Sequence, residues 1–164
     1  MTKPSEVREW TWFLIGDKRV RVDAEDYMFL SRFTWHIKQN RKSFYAHTNV
    51  RLGGKTTTIG MHRLILGLPS SQIDHIDRDG LNNSKDNLRF CTPQENSRNR
   101  VRHNPHGYRG VYKRNNSQFY SAQIMVGGKR RQRSGFKTPI EAARAYDELS
   151  KEHHGQFGIR NFKD

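Results

Sequence analysis

The chain has 164 residues, a formal net charge of +14, a pI near 10.3 and a mean hydropathy of −0.99. That length suffices for one ordinary domain or two small ones, and the charge points to a polyanionic partner: DNA, RNA or an anionic membrane surface. No apolar run approaches the roughly 18 residues of a spanning helix, and the single cysteine, Cys91, excludes an internal disulfide and a multi-cysteine zinc site. The opening MTKPSEVREW lacks the apolar core of a signal peptide, so the expectation is a soluble intracellular protein that binds nucleic acid, with no membrane partner.

In chain order, Trp10–Val22 reads as two short strands around a Gly-Asp-Lys turn. Ala24–Phe33 has Tyr27, Leu30 and Phe33 at helical spacing and predicts a short helix. Further strands fit after Arg41-Lys42-Ser43 and after Gly53-Gly54-Lys55, and a second short helix fits Met61–Leu68, stopped near Gly67 and Pro69. Arg19, Arg21 and Lys38 are possible nucleic-acid contacts on this scaffold.

Gln72–Ile76 reads as a strand, Asp77–Asp86 as a loop rich in Gly, Asn, Asp and Ser, and Leu88–Cys91 as a second strand. Cys91 then serves as a small apolar packing residue. Thr92 caps a helix with Pro93 at its first position and Glu95 closing a capping box; the helix should reach about Arg102. Across the Pro- and Gly-containing HNPHG at 103–107, three strands follow (RGVYK, FYSAQIMV, KRRQRSGF), with Gly127-Gly128 as a hairpin turn. Alternation puts Tyr120, Ala122, Ile124 and Val126 on one face and Phe119, Ser121, Gln123 and Met125 on the other. Thr138-Pro139-Ile140-Glu141 opens a helix with an Ala142, Ala145, Tyr146, Leu149 stripe and a stop at Gly155. Residues 96–140 hold eleven Lys/Arg and no acid, whereas this last helix carries Glu141, Asp147, Glu148 and Glu152. The helix should therefore face away from nucleic acid and the free face of the sheet toward it.

Chemistry concentrates in Gln72–Asn96. Metal-assisted phosphodiester hydrolysis needs a hard oxygen ligand, a base that titrates near neutrality and cations to place the phosphate. Asp74 and His75 are neighbours on a strand, so their side chains leave opposite faces unless the strand bends. In a strand-loop-strand-helix unit, Asp74 and Asn96 are placed to share one Mg²⁺-like ion, with water and phosphate completing its shell. The loop DRDGLNNSKDN also looks like a calcium loop, but it lacks the glutamate an EF-hand requires at its twelfth position.

Asp-His, eleven residues, Asn, eight residues, Asn resembles the HNH (His-Me finger) nuclease motif. MHRLILGLP upstream and DNLRFCTPQENSRNR downstream resemble the subgroup common in phage homing endonucleases, over roughly Phe44–Arg100. The resemblance implies that Asp74 and Asn96 are metal ligands, that His75 is the general base, and that Asn87, the middle residue of the catalytic motif, holds the loop against the base's backbone. Asn96 stands where many members have His, which favours Mg²⁺ over Zn²⁺, with Mn²⁺ as a substitute. His62 and Arg63 also match the subgroup; His62 is either a phosphate contact and support for the site or a hydrogen-bonded structural histidine. Asn99 and Arg100 lie one turn beyond Asn96, with Arg100 a candidate phosphate clamp.

YRGVYKRNNSQFYSAQI, EAARAYD and the final NF make about Gly107–Phe162 similar to the plant apetala/ethylene-response-factor DNA-binding domain. That resemblance implies a sheet entering the major groove, with Arg109, Arg114, Gln123, Arg130 and Gln132 in the base- and phosphate-facing set. Tyr112 and Met125 stand where plant members often have Arg, so the base preference should differ. Arg131 and Arg133 fall where relatives have apolar residues facing the helix; either the third strand is shifted or these stems snorkel past the helix edge.

The expected fold is α+β: a ββα-metal nuclease domain over 1–102 (core 72–102) with preceding small antiparallel strands, a linker at 103–107, then a three-stranded antiparallel sheet packed on one α-helix over 108–164. The expected function is a metal-dependent homing-type endonuclease that nicks one strand of double-stranded DNA, as a monomer or weak homodimer. A phage origin would place it in the cytoplasm of a bacterial host. The rival reading is a sequence-specific DNA-binding regulator with an inactive nuclease fold.

Overall fold

The computed structural model describes residues 9–40, 43–99 and 104–162. The chain divides into two compact units, one ending at Pro93 and one beginning at Gln94. No described helix is long and apolar enough to cross a membrane.

The first unit opens with an antiparallel hairpin, β1 (Trp10–Ile15) and β2 (Lys18–Asp23), turning through Gly16 at φ 60°. Strand alternation separates its faces. Phe13, Ile15, Val20 and Val22 point into the core, while Trp10, Trp12 and Leu14 remain exposed opposite Asp23, Arg21 and Arg19. Helix α1 (Ala24–Leu30) follows and buries Leu30 completely. It stops before Phe33 because the chain turns back: the Trp35 indole Nε1 donates to the Leu30 carbonyl at 2.9 Å, satisfying one group a helix end leaves unpaired. Strands β3 (Trp35–Asn40), β4 (Ser43–Leu52) and β5 (Lys55–Gly60) form a meander in that order. The sequence reading places no strand at β3, whose only inward apolar residues are Trp35 and Ile37. Ile15, Val20, Val22, Leu30, Trp35, Ala46 and Met61 close one core between hairpin, helix and meander.

Helix α2 covers Met61–Ile65, shorter than the Met61–Leu68 expected. Gly67 and Leu68 adopt positive φ (74° and 56°), and the Leu68 amide bonds back to the Arg63 carbonyl at 2.7 Å, a left-handed helix stop. Strands β6 (Gln72–His75) and β7 (Leu88–Cys91) pair antiparallel, Asp74 opposite Arg89 and His75 opposite Leu88. Cys91 is buried, as its apolar setting suggests. Helix α3 (Pro93–Arg98) carries the boundary between the units. It begins at the expected proline; of the extension toward Arg102, only Asn99 lies within the described residues.

The second unit is a sheet of order β10-β9-β8 on one long helix: β8 (Val111–Lys113), β9 (Tyr120–Val126), β10 (Lys129–Phe136) and α4 (Pro139–His154). Ala122 and Ile124 of β9 meet Ala145, Tyr146 and Leu149 of α4, the face and stripe that alternation and helical spacing predict. The α4 cap forms as expected, with Thr138 Oγ1 accepting from the Glu141 amide at 3.2 Å, while the Glu141 carboxylate takes the Lys137 amide at 3.0 Å. Register decides the Arg131 and Arg133 question. They pair with Ile124 and Ala122, so β10 is unshifted there and both stems lie on the helix side. Arg133 reaches past the helix edge to Glu148 at 2.6 Å and Glu152 at 3.7 Å. The two oxygens of Asp147 accept the Asn161 and Phe162 amides at 2.7 and 2.9 Å, fastening the C-terminal segment.

Strand β8 starts only at Val111 because Gly110 sits at φ 71°, with the Tyr146 ring where a side chain would project. A Cβ there would lie 1.9 Å from Tyr146 Cδ2. Gly110→Ala should therefore destabilise the second unit by about 3 kcal/mol, combining overpacking with a left-handed backbone. Thermal unfolding followed by circular dichroism checks this; an unchanged midpoint would mean that Tyr146 moves aside freely.

Candidate active site

The β6–β7 pairing runs in register through both Asp74 and His75, with no bulge between them. The backbone turns afterwards, through Ile76 and on to Arg78 at φ 70°. The connection is built on Asn87. Its carboxamide Nδ2 donates to Asp77 Oδ1 and to the Asn82 carbonyl, both at 2.8 Å, and its Oδ1 accepts the Asp77 amide at 3.0 Å. The Asn87 carbonyl takes the Ile76 amide at 2.8 Å, so the backbone just after His75 is fixed from both sides. Asn87 thus anchors the turn that follows His75. Asn82 Nδ2 adds a bond to Asp77 Oδ2 at 2.6 Å.

His75 is buried among residues from three other segments. The Asn83 side chain is 3.3 Å from its Nε2, the His62 ring centre is 5.2 Å away and the Tyr45 ring 5.9 Å. The Asn83 amide nitrogen donates to the Gly80 carbonyl at 3.4 Å, which turns its Oδ1 toward His75. Nε2 must then carry the proton, and the basic lone pair lies on Nδ1. Gly80 lets the loop come this close to β4: a Cβ there would meet the Phe44 carbonyl at 2.4 Å. Burial lowers the His75 pKa; the Asn83 bond and the carboxylates of Asp77, Asp74 and Asp79 push in the other direction. Burial also lowers His62, to about 3, with help from His75, His47 and Arg63. His62 is therefore a neutral packing partner of His75 at ordinary pH. Arg63 is spent on the loop after α2, donating to the Ser71 carbonyl at 3.3 Å and to the Pro69 carbonyl.

Asp74 faces a cation. Arg89 Nε and NH2 both donate to Asp74 Oδ2, at 3.0 and 2.7 Å, in a nearly buried pair. This two-nitrogen pairing fixes the orientation of the Asp74 carboxylate. Asp23, Glu25 and Asp26 also cluster, but the Lys85 ammonium bridges Glu25 and Asp26 at 2.6 and 2.9 Å and its amide bonds Asp23.

Residues 61–98 match the model of a family described as HNH endonuclease. The chain is a nuclease, similar to HNH endonucleases over this stretch. An uncharacterized HNH endonuclease of Acanthamoeba polyphaga mimivirus is 29% identical over 143 residues, covering 82% of this chain and 74% of the relative. No solved structure matches.

Of the nuclease's candidate residues, the first unit gathers Asp74, His75, Asn87, His62 and Arg63 around one hairpin. Asn96 and Asn99 belong to the second unit; Asn99 is buried, its amide on the Asn96 carbonyl at 3.2 Å. Arg100 lies outside the described residues. In the second unit, Arg114, Gln123 and Arg130 line one groove of about 500 Å³ with Tyr112, Lys113 and Met125, and Gln132 stands opposite Gln123 on the same face. Arg109 is not in that groove. Its guanidinium donates to Tyr146 Oη at 2.8 Å and to the Arg98 carbonyl at 2.9 Å, which makes it a brace of the unit. Sequence reasoning overlooked Arg89, Asn83 and Tyr45. Arg89 was accessible from register counting, since it falls opposite Asp74; the other two depend on tertiary approach.

His62 titrates near 6.5 when unfolded and near 3 when folded, so the unfolded chain binds the extra proton between those values. Its contribution to stability is complete above pH 6.5 and is lost as pH falls toward 3. Acidification from neutral pH to pH 5 should lower the unfolding free energy by about 2 kcal/mol through this group alone. Denaturant titrations at several pH values, repeated on His62→Gln, check it: the substitution should flatten the slope, and an unaltered slope would assign the proton uptake to another group.

Proposed function

We propose that the protein is a metal-dependent DNA endonuclease that nicks one strand of duplex DNA per event, with its second unit gripping and reading the duplex. The observation that carries this reading is a buried, neutral His75 with its tautomer set by Asn83 and its backbone pinned by Asn87, inside the HNH match at 61–98. HNH nucleases generally use a divalent metal. Asp74 would supply a hard carboxylate oxygen to such an ion, a donor that suits Mg²⁺, which keeps most of its water. Such an ion, when bound, neutralises charge developing on the leaving 3′ oxygen. His75 Nδ1 accepts a proton from the attacking water, leaving 5′-phosphate and 3′-hydroxyl ends. Arg89 holds the Asp74 carboxylate in one orientation.

The second unit supports the resemblance to the apetala/ethylene-response-factor domain by architecture: three antiparallel strands on one helix, its acids Glu148 and Glu152 paired with Arg133 on the helix side, and Arg114 and Arg130 lining a groove on the opposite face. One observation favours the rival reading. The Asp74–Arg89 pair already compensates the carboxylate's charge, as it would in a nuclease fold retained only for binding.

Conversion of supercoiled plasmid to nicked circles with Mg²⁺, and its absence with EDTA, separates the two readings. His75→Ala should lower nicking roughly a hundredfold to ten-thousandfold while gel-shift affinity for duplex DNA stays within twofold of wild type; joint loss of binding and cutting would make His75 structural. Asp74→Ala should abolish Mg²⁺-dependent nicking, and an active variant at ordinary Mg²⁺ would remove the ligand assignment. Arg130→Ala should weaken duplex binding about tenfold, and unchanged affinity would take the sheet face out of the interface.

A further inference from the structure

The free face of the sheet in the second unit carries more than a phosphate grip requires. Tyr112 and Met125 stand on it 49% and 56% exposed. They share their groove with Arg114, Gln123 and Arg130. Register orders these groups along β9. Tyr112 lies opposite Ser121, and Met125 lies opposite Arg130. Between those two levels, the Gln123 amide donates to the Gly110 carbonyl at 2.8 Å, and the Gln132 residue of β10 stands opposite Gln123. Arg114 follows β8 at the Tyr112 end. The face therefore has a cation at each end and an uncharged middle in which Gln123 is flanked by exposed apolar side chains.

That middle has no use for a phosphate, which offers only acceptor oxygens. Gln123 Nε2 donates to Ser121 Oγ at 3.3 Å. One N–H and the Oε1 acceptor of the carboxamide remain for a ligand. A donor beside an acceptor in one plane matches N7 and the N6 amine of adenine on the major-groove edge. Met125 and Tyr112 need an apolar partner, and the apolar group that base pairs present in that groove is the C5-methyl of thymine. The flexible thioether of Met125 adapts to such a small contact. Adenine and thymine are the two halves of one base pair, so the carboxamide and the apolar side chains point to the same target.

We infer that this face reads A·T pairs in the major groove: Gln123 bonds the edge of adenine, and Met125 packs on the thymine methyl with Tyr112 extending the apolar surface. The inference rests on the reading of the second unit as a duplex-gripping module given above. It makes Gln123 and Met125 the residues that determine specificity, while Arg114 and Arg130 supply attraction to any duplex.

The test is binding of the full chain, in EDTA so that nothing is cut, to short duplexes of alternating sequence, which present the same bases in every register. The probes are adenine–thymine, adenine–uracil, guanine–cytosine and guanine–5-methylcytosine duplexes. The thymine duplex should bind about fourfold tighter than the uracil duplex, the equivalent of one methyl removed from water. Met125→Ala should abolish that gap and leave affinity for the uracil duplex roughly unchanged, while Met125→Leu keeps the gap. The 5-methylcytosine duplex, which has the methyl but no adenine, should bind more weakly than the thymine duplex, and Gln123→Ala should narrow that difference. Equal affinity for the thymine and uracil duplexes would overturn the inference, as would a Met125→Ala variant that weakens both alike, or a 5-methylcytosine duplex that binds as tightly as the thymine one. Arg130→Ala keeps the two readings apart. If it weakens binding to all four duplexes and the thymine gap is absent, base reading alone fails; if it changes none of them, this face does not grip DNA and both fail.

Discussion

The first unit depends on one carboxamide. Asn87 makes three side-chain hydrogen bonds and one through its carbonyl, all within the turn that follows His75. Each bond is worth only about 1 kcal/mol net, somewhat more where the acceptor is charged. Together they offset the ordering entropy of a connection made almost wholly of Asp, Asn, Gly and Ser, which has little apolar surface to bury. Asp77 serves two masters, taking Asn87 on one oxygen and Asn82 on the other. The fold of this loop is thus a polar network centred on Asn87 and Asp77 and tied to β2, beside a separate hydrophobic core.

That network explains what the N-terminal segment contributes. Asn82 and Asn83 are not held only by their neighbours; their backbone pairs with Arg21, sixty residues earlier. Asn83 then turns its side chain inward to the imidazole. Strand β2 is consequently the template on which the loop lies, and β1, α1 and the meander exist in this unit to hold β2 against a core. Asp23 and Lys85 add a second tie at the far end of the same contact, the Lys85 amide bonding Asp23 and its ammonium bonding Glu25 and Asp26.

Much of this was legible in the sequence where a local rule sufficed. Alternation found the β1–β2 hairpin and both faces of β9, helical spacing found the α4 stripe, and the capping residues Thr138 and Glu141 fixed its start. The motif spacing located His75 and Asn87. What escaped lay outside these spacing rules. Strand β3 has too few inward apolar residues to announce itself. Helices α1 and α2 end early because nearby groups intervene, the Trp35 indole five residues past Leu30 and a left-handed Gly67-Leu68 pair. Arg109 looked like a DNA contact because it is basic and stands in a familiar motif, but the hydroxyl of Tyr146 and a carbonyl of α3 hold its guanidinium.

The charge layout of the second unit follows from the same competition. An acid-free stretch from 96 to 140 followed by an acidic helix could have collapsed into ion pairs across the sheet, cancelling the field that attracts a polyanion. Register prevents this. Lys129, Arg131 and Arg133 all fall on the helix side of β10, yet of these three only Arg133 is paired with an acid of α4 among the described contacts, at Glu148 and Glu152. Asp147 is turned to the C-terminal amides, and Glu141 to the backbone before its own helix. Every acid of α4 therefore has a use on its own side. Arg130 and Gln132 alternate to the other face, where Arg114 lines the same groove as Arg130 and, among the described contacts, none of the α4 acids is paired with them.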